Sequence, residues 1–434
     1  MNIDDIINSI DSNNLDIAFG RVVNISAVTL SAVGLDVAVG DIVRIESAQK
    51  LYTVLGMVTV LKDGLFVIVP FSFIDGFKIN DKVFLQRDGL TVKCGNGLLG
   101  RVVNALGDPI DDLGKIRDLD TNAPINKESM SPLDRGIIDK KFATGVKAID
   151  SMLTCGKGQK VGIFAGSGVG KSTLMGMIVQ GCEATIKVIA LVGERGREIP
   201  EFIHYNLNNN LENTVIVTAT SDESPLMRKY AAFTAMTIAE YFRDKGYDVL
   251  LMMDSVTRFA MAQREIGLST GEPPVSRGYP PSVFALLPQL MERAGNSKKG
   301  SITAFFTVLV DGDDLNDPIA DQSRSILDGH IVLTRDLTEQ GFYPPINILK
   351  SASRVIDKVV TKEHYNDFLK LKRVLSLIKE NEVLIRVGAY KKGMDLELDS
   401  AIAKKEKARE FFTQGTLEKY SFDEIVANLR KVLI

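Results

Sequence analysis

The segment Ala165-Gly-Ser-Gly-Val-Gly-Lys-Ser172 carries the clearest chemistry in the chain. It follows the apolar run Val161–Phe164 and precedes the helical stretch Thr173–Gln180, which is the strand, loop and helix order of a P-loop. Glycines allow several backbone N–H groups to face phosphate oxygens, and the helix N-terminus adds a partial positive charge. Lys171 would then reach the β and γ phosphates of a nucleotide, and Ser172 would ligate Mg²⁺. The loop begins with Ala165 where the strict pattern has glycine, so it is a slightly relaxed match.

A second candidate is Asp254, which ends the apolar run Val249–Met253. A buried strand delivers such an acid to the carboxyl edge of a parallel sheet, where ligands of open α/β sheets bind. This is the pattern of a Walker B acid, which holds Mg²⁺ through water or through Ser172.

A third candidate is Glu194, which follows the apolar run that ends in Leu191-Val-Gly. A carboxylate at a strand end can polarise a water for in-line attack on the γ phosphate. The residues alone also allow a surface ion-pair cluster of Glu194, Arg195, Arg197 and Glu198, so both interpretations stay open at this point.

The elements between these motifs indicate how they are positioned. Continuous apolar runs are typical of parallel strands buried on both faces, and here they alternate with helical stretches such as Met227–Asp244. The five runs are Val161–Ala165, Lys187–Val192, Thr214–Ala219, Val249–Met253 and Ile302–Leu309. Residues 93–350 are therefore predicted to form a doubly wound α/β domain.

The flanking segments have different patterns. Residues 18–92 alternate with period two between turn signals such as Lys62-Asp-Gly64, which predicts a small closed β-barrel. Helical periodicity dominates residues 351–434 and predicts a helical C-terminal domain. Within residues 1–17, an apolar stripe (Ile3, Ile6, Ile7, Ile10) predicts a helix that either caps the first domain or docks a partner.

Composition excludes several classes of function. The 434 residues, 45% apolar and 25% charged, fit a soluble globular protein of roughly three domains. The net charge of −3 provides no electrostatic footprint for nucleic acid or for an anionic membrane. The three cysteines and three histidines have no metal-binding spacing, which disfavours a zinc site and fits a reducing cytosol. The N-terminus has no signal-peptide features, and residues 65–74 are too short to span a bilayer.

Together the motifs resemble those of rotary ATPase catalytic subunits and, among them, the type III protein-export ATPases. The similarity extends from about residue 20 to about residue 430. It is carried by Leu153–Gln159, Gly193–Phe202, Asp254–Ala260, Gly271–Pro274, Gly278–Phe284, Ile326–Leu333 and Pro344–Ser353. Ser221–Arg228 and Phe259–Glu265 favour the flagellar branch over the closely similar injectisome branch.

The resemblance implies roles for the nucleotide-binding residues. The nucleotide loop is formed by Gly166, Ser167, Gly168, Val169, Gly170, Lys171, Ser172 and Thr173. Ser172 and Asp254 match the residues that hold Mg²⁺, and Tyr343 matches the aromatic that stacks on adenine. A second adenine wall stays open, because Phe411 and Phe412 lie where the family places aromatics but the following Gly415-Thr-Leu departs from the synthase pattern.

The resemblance also implies roles in catalysis. Glu194 matches the glutamate that activates water, with Lys171 beside it in the nucleotide loop. Arg195 and Arg258 match arginines near the γ phosphate. Arg354 matches an arginine finger that reaches the nucleotide of the neighbouring subunit, where it would stabilise transition-state charge.

The resemblance further implies a cytoplasmic homohexamer, peripheral at the inner-membrane export apparatus. It would use ATP and Mg²⁺ to energise the unfolding and delivery of export substrates for flagellum assembly. The implied partners are a regulator at the N-terminal segment, a central stalk protein, a membrane export gate and export chaperone–substrate complexes.

Two other functions use the same ATPase core. A catalytic synthase subunit would carry an acidic C-terminal tract, whereas Tyr390–Asp399 is mixed in charge. An RNA-translocating helicase would need a basic barrel with aromatics for base stacking. Residues 18–92 have few positive charges, and we expect their aromatics to be mostly core residues (Tyr52, Phe66, Phe71, Phe73, Phe77, Phe84). We therefore expect no nucleic-acid partner.

Overall fold

The computed structural model describes residues 18–47, 52–310, 314 and 316–434. The helix predicted within residues 1–17, together with its docking role, lies outside these residues. The described chain forms a closed six-stranded barrel, a nine-stranded sheet with helices, and a C-terminal group of helices. This order confirms the predicted fold class, while the exact domain boundaries, near residues 92 and 350, stay predictions.

The N-terminal barrel has strand order β1-β2-β5-β4-β3-β6, and the last strand pairs with the first. Its strands are β1 (Gly20–Ile25), β2 (Leu30–Val33), β3 (Ile42–Glu46), β4 (Thr53–Lys62), β5 (Leu65–Pro70) and β6 (Lys82–Gln86). Alternate residues point inward, so Leu30 and Ala32 of β2 and Val43 and Ile45 of β3 are fully buried. Closure leaves the barrel without a free sheet edge.

The aromatic residues of the barrel region divide into three groups. Phe66, Phe71 and Phe77 are buried as predicted, and Phe84 on β6 is half-buried. The core assignment is wrong for Tyr52 and Phe73, which are 48% and 68% exposed because they lie just before β4 and in the loop after β5.

The central sheet is mostly parallel. Its strands are β8 (Val102–Val103), β12 (Lys160–Ala165), β13 (Ile186–Glu194), β14 (Thr214–Thr220), β15 (Asp248–Asp254), β16 (Gly295–Asn296), β17 (Ser301–Leu309), β18 (Gly329–Val332) and β19 (Ala352–Ser353). Two small sheets are each formed by two strands: β7 (Thr91–Cys94) pairs with β9 (Thr121–Pro124), and β10 (Lys141–Phe142) pairs with β11 (Cys155–Gly156). The order is β19-β18-β12-β17-β15-β13-β14-β8, and β16 pairs with β17. All five predicted strands are present, as β12, β13, β14, β15 and β17.

The helices are α1 (Lys147–Met152), α2 (Lys171–Gly181), α3 (Glu198–Glu201), α4 (Pro225–Asp244), α5 (Val256–Ser269), α6 (Pro281–Met291), α7 (Pro318–Ile326), α8 (Arg335–Glu339), α9 (Ile356–Val359), α10 (Lys362–Glu380), α11 (Glu382–Arg386), α12 (Leu396–Phe412) and α13 (Phe422–Leu433). A π-helical turn, Phe202–Asn206, continues α3. No helix in the part of the chain that the structure describes is long and apolar enough to cross a membrane.

Alternate residues of the parallel strands face two different cores. Val188 and Ala190 of β13 pack in the core that contains α4 and α5. Ile189 and Leu191 of the same strand pack in the core that contains α2 and the C-terminal helices. This two-sided burial explains why the strands read as continuous apolar runs. It also fixes the C-terminal helices against the face of the sheet that carries α2.

Candidate active site

A cleft of about 690 Å³ lies at the carboxyl ends of β12, β13 and β15. Parallel strands all present their carboxyl ends at one edge, so side chains from distant parts of the sequence meet there. The cleft is lined by residues of the loop after β12, the end of β13, the start of α5 and the π-helical turn. Most of the predicted catalytic and phosphate-binding residues line it, namely Gly166, Ser167, Gly168, Gly170, Lys171, Ser172, Thr173, Glu194, Arg195, Asp254 and Arg258.

The loop between β12 and α2 has the geometry of an anion site. Gly170 is the N-cap of α2 and adopts a left-handed conformation with φ of 92°, which favours glycine. Because a helix N-terminus has free N–H groups and a partial positive charge, this end of α2 attracts phosphate. Val169 is the one member of the predicted loop outside the cleft lining, and it is buried in the core.

Lys171 lies between two carboxylates. Its Nζ is 2.5 Å from Oδ1 of Asp254 and 3.6 Å from Oε1 of Glu194. Thr307, on the strand next to β15, donates a 2.7 Å hydrogen bond to the same Asp254 oxygen. Burial alone would lower the pKa of Lys171, but the two carboxylates raise it, so the ammonium form is favoured.

Glu194 has an environment suited to a general base. Burial, and then the charge of Asp254, raise the pKa of Glu194 to about 7 against the opposing effect of Lys171. Its buried Oε1 has no hydrogen-bond partner among the described residues. A buried acceptor without a partner is rare in folded proteins, and at a cleft it marks a position where a water or substrate atom is expected. The carboxylate is therefore poised to exchange a proton near neutral pH.

Arg258 is packed tightly behind Glu194. A Cβ atom at Gly193 would lie 2.9 Å from the Arg258 Cβ, and Gly193 has φ of 70°, so only glycine suits this position. The Nε of Arg258 is buried and has no hydrogen-bond partner within the described ranges. Arg195 also lines the cleft, but its side chain is 67% exposed and lies 3.6 Å from Glu198. Arg195 and Glu198 thus form an ion pair within the lining of the cleft, whereas Glu194 is paired with Lys171.

Tyr343 lies outside the cleft lining. Its side chain is 44% exposed. Pro345 is two residues after Tyr343, and its ring would lie 3.9 Å from a Cβ atom added at Gly170 of the phosphate loop. The aromatics proposed as a second adenine wall, Phe411 and Phe412, are both buried in the core with the C-terminal helices, so neither presents a free ring face to a base.

Arg354 does not line the cleft of its own chain. It follows the edge strand β19, and its guanidinium donates a 3.3 Å hydrogen bond to the Arg324 carbonyl at the surface. An arginine that acts on a neighbouring subunit must lie away from its own cleft, and this position meets that condition.

The residues present fit a magnesium ion that is held mainly by nucleotide. No group of three or more His, Cys, Asp or Glu side chains in the described chain could hold a metal ion by itself. At nucleotide-binding sites, Mg²⁺ is bound by one or two side chains together with substrate phosphates. Ser172 at the start of α2 and Asp254 line the same cleft and provide oxygen ligands of that kind.

Sequence reasoning missed two residues that hold the site together. Thr307 is a polar residue in a buried apolar strand, and that contrast is the only signal that could have marked it. Asn206 ends the π-helical turn, lines the cleft and donates a 3.1 Å hydrogen bond to the Ser172 carbonyl. No local pattern marks Asn206, because its partner is in another helix.

Comparisons with known proteins agree with this geometry. Residues 145–353 match the ATP synthase alpha/beta family, nucleotide-binding domain, and residues 360–431 match the T3SS EscN ATPase C-terminal domain. A protein named flagellum-specific ATP synthase from Helicobacter pylori (strain J99) is 57% identical over 416 residues, covering 96% of this chain and 95% of that protein. The structure of the assembled ATPase EscN from the enteropathogenic E. coli type III secretion system is 44% identical, with a TM-score of 0.91 over 96% of this chain and 100% of that one. EscN in complex with its central stalk EscO matches over the same shares, 96% and 100%, at 44% identity with a TM-score of 0.88.

Proposed function

The chain belongs to the ATP synthase alpha/beta family, in the branch of type III protein-export ATPases, and from that membership we propose that it is the Mg²⁺-dependent ATP hydrolase of a bacterial flagellar export apparatus. One observation carries the enzymatic part: Lys171, the first residue of α2, meets Glu194 and Asp254, the last residues of β13 and β15, in a single cleft. The flagellar assignment is supported by the higher identity to the flagellum-specific relative than to EscN.

Phosphate binding begins with the loop amides and Lys171. The N–H groups at the start of α2 bind phosphate oxygens, and the Lys171 ammonium provides the opposite charge. In the structure this ammonium is neutralised by Asp254 and Glu194. Phosphate therefore competes with both carboxylates for Lys171, and its arrival weakens the hold of the lysine on Glu194.

Glu194 then orients and deprotonates the attacking water. Its Oε1 is free of hydrogen bonds among the described residues, and its pKa of about 7 lets the carboxylate accept a proton at neutral pH. Arg258, whose Nε is likewise without a partner, lines the same cleft and would bind the charge that develops on the phosphoryl oxygens.

Ser172 and Asp254 would hold Mg²⁺ beside the β and γ phosphates. When bound, the ion neutralises phosphate charge during transfer. Asp254 stays fixed for this task because Thr307 holds its Oδ1 and the side chain is buried.

Completing the site requires a neighbouring subunit. One chain has both Glu194 in its cleft and Arg354 at its surface, so identical subunits can supply both halves of each site. A ring of this kind uses heterologous interfaces that close on themselves, and we propose a homohexamer. Tyr343 would stack on the adenine base from its exposed position, two residues before the proline that approaches Gly170 of the phosphate loop.

The proposal extends to location and partners. The ring would lie in the cytoplasm at the inner-membrane export apparatus and would act on export substrates delivered by chaperones. The EscN–EscO complex supports a central stalk partner for this chain. A regulator at the N-terminal segment and a membrane export gate complete the proposed set.

Hydrolysis as a function of protein concentration tests the enzymatic proposal. If the site is shared between subunits, ATP turnover per chain rises as the ring assembles, and Lys171→Ala abolishes it. A monomer by light scattering that hydrolyses ATP at constant specific activity would contradict the shared site. Gene deletion tests the biological part, because a flagellar export ATPase is required for filament assembly.

An injectisome ATPase is the second candidate function. It is supported by the EscN-type C-terminal domain and by the 0.91 TM-score to EscN. If deletion of the gene leaves flagella intact and stops effector secretion, the injectisome assignment replaces the flagellar one.

A further inference from the structure

Gln414 connects three distant parts of the chain. It lies between α12 and α13, and only 3% of its surface is exposed. Its backbone N–H donates a 2.9 Å hydrogen bond to the Tyr343 carbonyl. Its side chain accepts from the Lys147 N–H at 2.9 Å and donates from Nε2 to the carbonyls of Gly145 at 2.9 Å and Glu418 at 3.0 Å. Both donor hydrogens and the acceptor oxygen of the side-chain amide are therefore used.

The partners of Gln414 lead to both ends of α2, the helix that follows the phosphate loop. Gly145 lies against Gly181, the last residue of α2, so closely that a Cβ at Gly145 would be 3.0 Å from the Gly181 Cα. At the other end, Tyr343 precedes the proline pair whose second ring approaches Gly170, the N-cap of α2. Gln414 thus connects the C-terminal helices to the segments that pack against both ends of α2, the helix that follows the phosphate loop.

Tyr343 needs such an external support. Its ring is 44% exposed, so side-chain packing alone does not fix its place relative to the phosphate loop. The bond from Gln414 to its carbonyl sets the backbone from which the ring projects. The side-chain amide of Gln414 in turn fixes the turn that donates this bond.

We propose that Gln414 is a positioning residue that determines the base-dependent part of nucleotide affinity, by fixing the backbone of Tyr343 relative to the phosphate loop. The inference rests on the proposed function, because it takes ATP as the substrate and Tyr343 as the base-stacking residue. It does not require Gln414 to touch the nucleotide.

The test compares a ligand that has a base with one that has none. Gln414→Met keeps the volume of the side chain and removes all three side-chain hydrogen bonds. With the full chain, calorimetry should show ADP affinity reduced about tenfold, the size of a lost stacking contact. Pyrophosphate affinity should change less than about twofold, because the phosphate loop is intact.

Gln159→Met is the matched control. Gln159 is also fully buried and makes three side-chain hydrogen bonds, with the Gly156 N–H, the Asp328 carbonyl and the Ser353 hydroxyl. Its replacement should lower thermal stability to a similar degree and leave the ratio of ADP to pyrophosphate affinity at the wild-type value. A control that changes this ratio as much as Gln414→Met does would overturn the proposal.

Two further variants keep the test decisive if Gln414→Met does not fold. Gln414→Glu retains the acceptor for Lys147 and removes both donors, so it should show the same selective loss of ADP affinity. In a Tyr343→Ala background, replacing Gln414 should cost less than about twofold in ADP affinity, because the ring it positions is gone.

The outcomes separate this inference from the proposed function. Equal losses for ADP and pyrophosphate in both Gln414 variants, or no loss for either ligand, would show that Gln414 has only a structural role. Wild-type protein that binds ADP no better than pyrophosphate would refute the base-stacking role of Tyr343 and the inference with it.

Discussion

Replacing Glu194 by glutamine should stop catalysis and at the same time stabilise the fold at alkaline pH. The change keeps the shape of the side chain and removes its ability to accept a proton. A positioned general base contributes about 10²–10⁴ in rate, so we expect turnover to fall by at least about a hundredfold. Nucleotide binding should persist, because Lys171 and the loop amides are unchanged.

The effect on stability follows from the raised pKa of Glu194. Its folded-state pKa is about 7, above the ordinary 4.5, so the folded protein holds this proton over a pH range in which the unfolded chain has lost it. The stability that Glu194 contributes is therefore fully present below about pH 4.5 and is lost as the pH rises toward 7. Glutamine does not titrate. The free energy of unfolding of the variant, relative to wild type, should therefore rise by on the order of 2 kcal/mol as the pH increases from about 5 to about 8.

Urea unfolding at the two pH values, beside steady-state ATP hydrolysis, measures both effects. Glu212→Gln is the matched control, since Glu212 is exposed and lies outside the cleft lining. It removes one carboxylate without changing a buried charge. A Glu194→Gln protein that hydrolyses ATP at the wild-type rate would refute the general-base role. A stability difference from wild type that does not change with pH would refute the burial of its charge.

Three other perturbations test the rest of the site. Subunits with Arg354→Ala and subunits with Glu194→Gln should each be inactive in hydrolysis assays, while a mixture should recover activity, because a site with Glu194 from one chain can use Arg354 from the other. Lys171→Ala leaves Asp254 and Glu194 without their shared cation, so chemical unfolding at about pH 8 should show a loss of about 3 kcal/mol. Gly176→Ala would place a Cβ 2.8 Å from the Asn206 side chain, and calorimetric unfolding should show a destabilisation of about 1–3 kcal/mol.

The phosphate loop and the central strands were predictable because their signals are local. A strand buried on both faces must be apolar throughout, and the loop needs its glycines and Lys171 in a fixed order. The periodic turn signals of residues 18–92 predicted the barrel for the same reason. Asp254 could be found because it ends such a strand.

The contacts that hold the site together could not be predicted in this way. Lys171 is 83 residues from Asp254, and Gln414 is 267 residues from Lys147. Such pairs depend on the order of strands in the sheet and on how the C-terminal helices pack against it. The two-residue edge strands β8 and β19 are also too short to produce a periodic pattern.

The position of Lys171 suggests how hydrolysis is kept dependent on substrate and assembly. Without nucleotide, the Lys171 ammonium is paired with Glu194 and Asp254, the two carboxylates that we propose act in catalysis, and the pKa of Glu194 is about 7. A phosphate that draws Lys171 away releases the Glu194 carboxylate from its ion pair, which leaves its oxygens available to accept the proton of a water. Arg354, the proposed finger residue, lies outside this cleft, so we expect hydrolysis of a bound nucleotide to require a neighbouring chain. In the proposed mechanism, substrate frees the Glu194 base and assembly supplies the Arg354 charge, so we expect free subunits to consume little ATP.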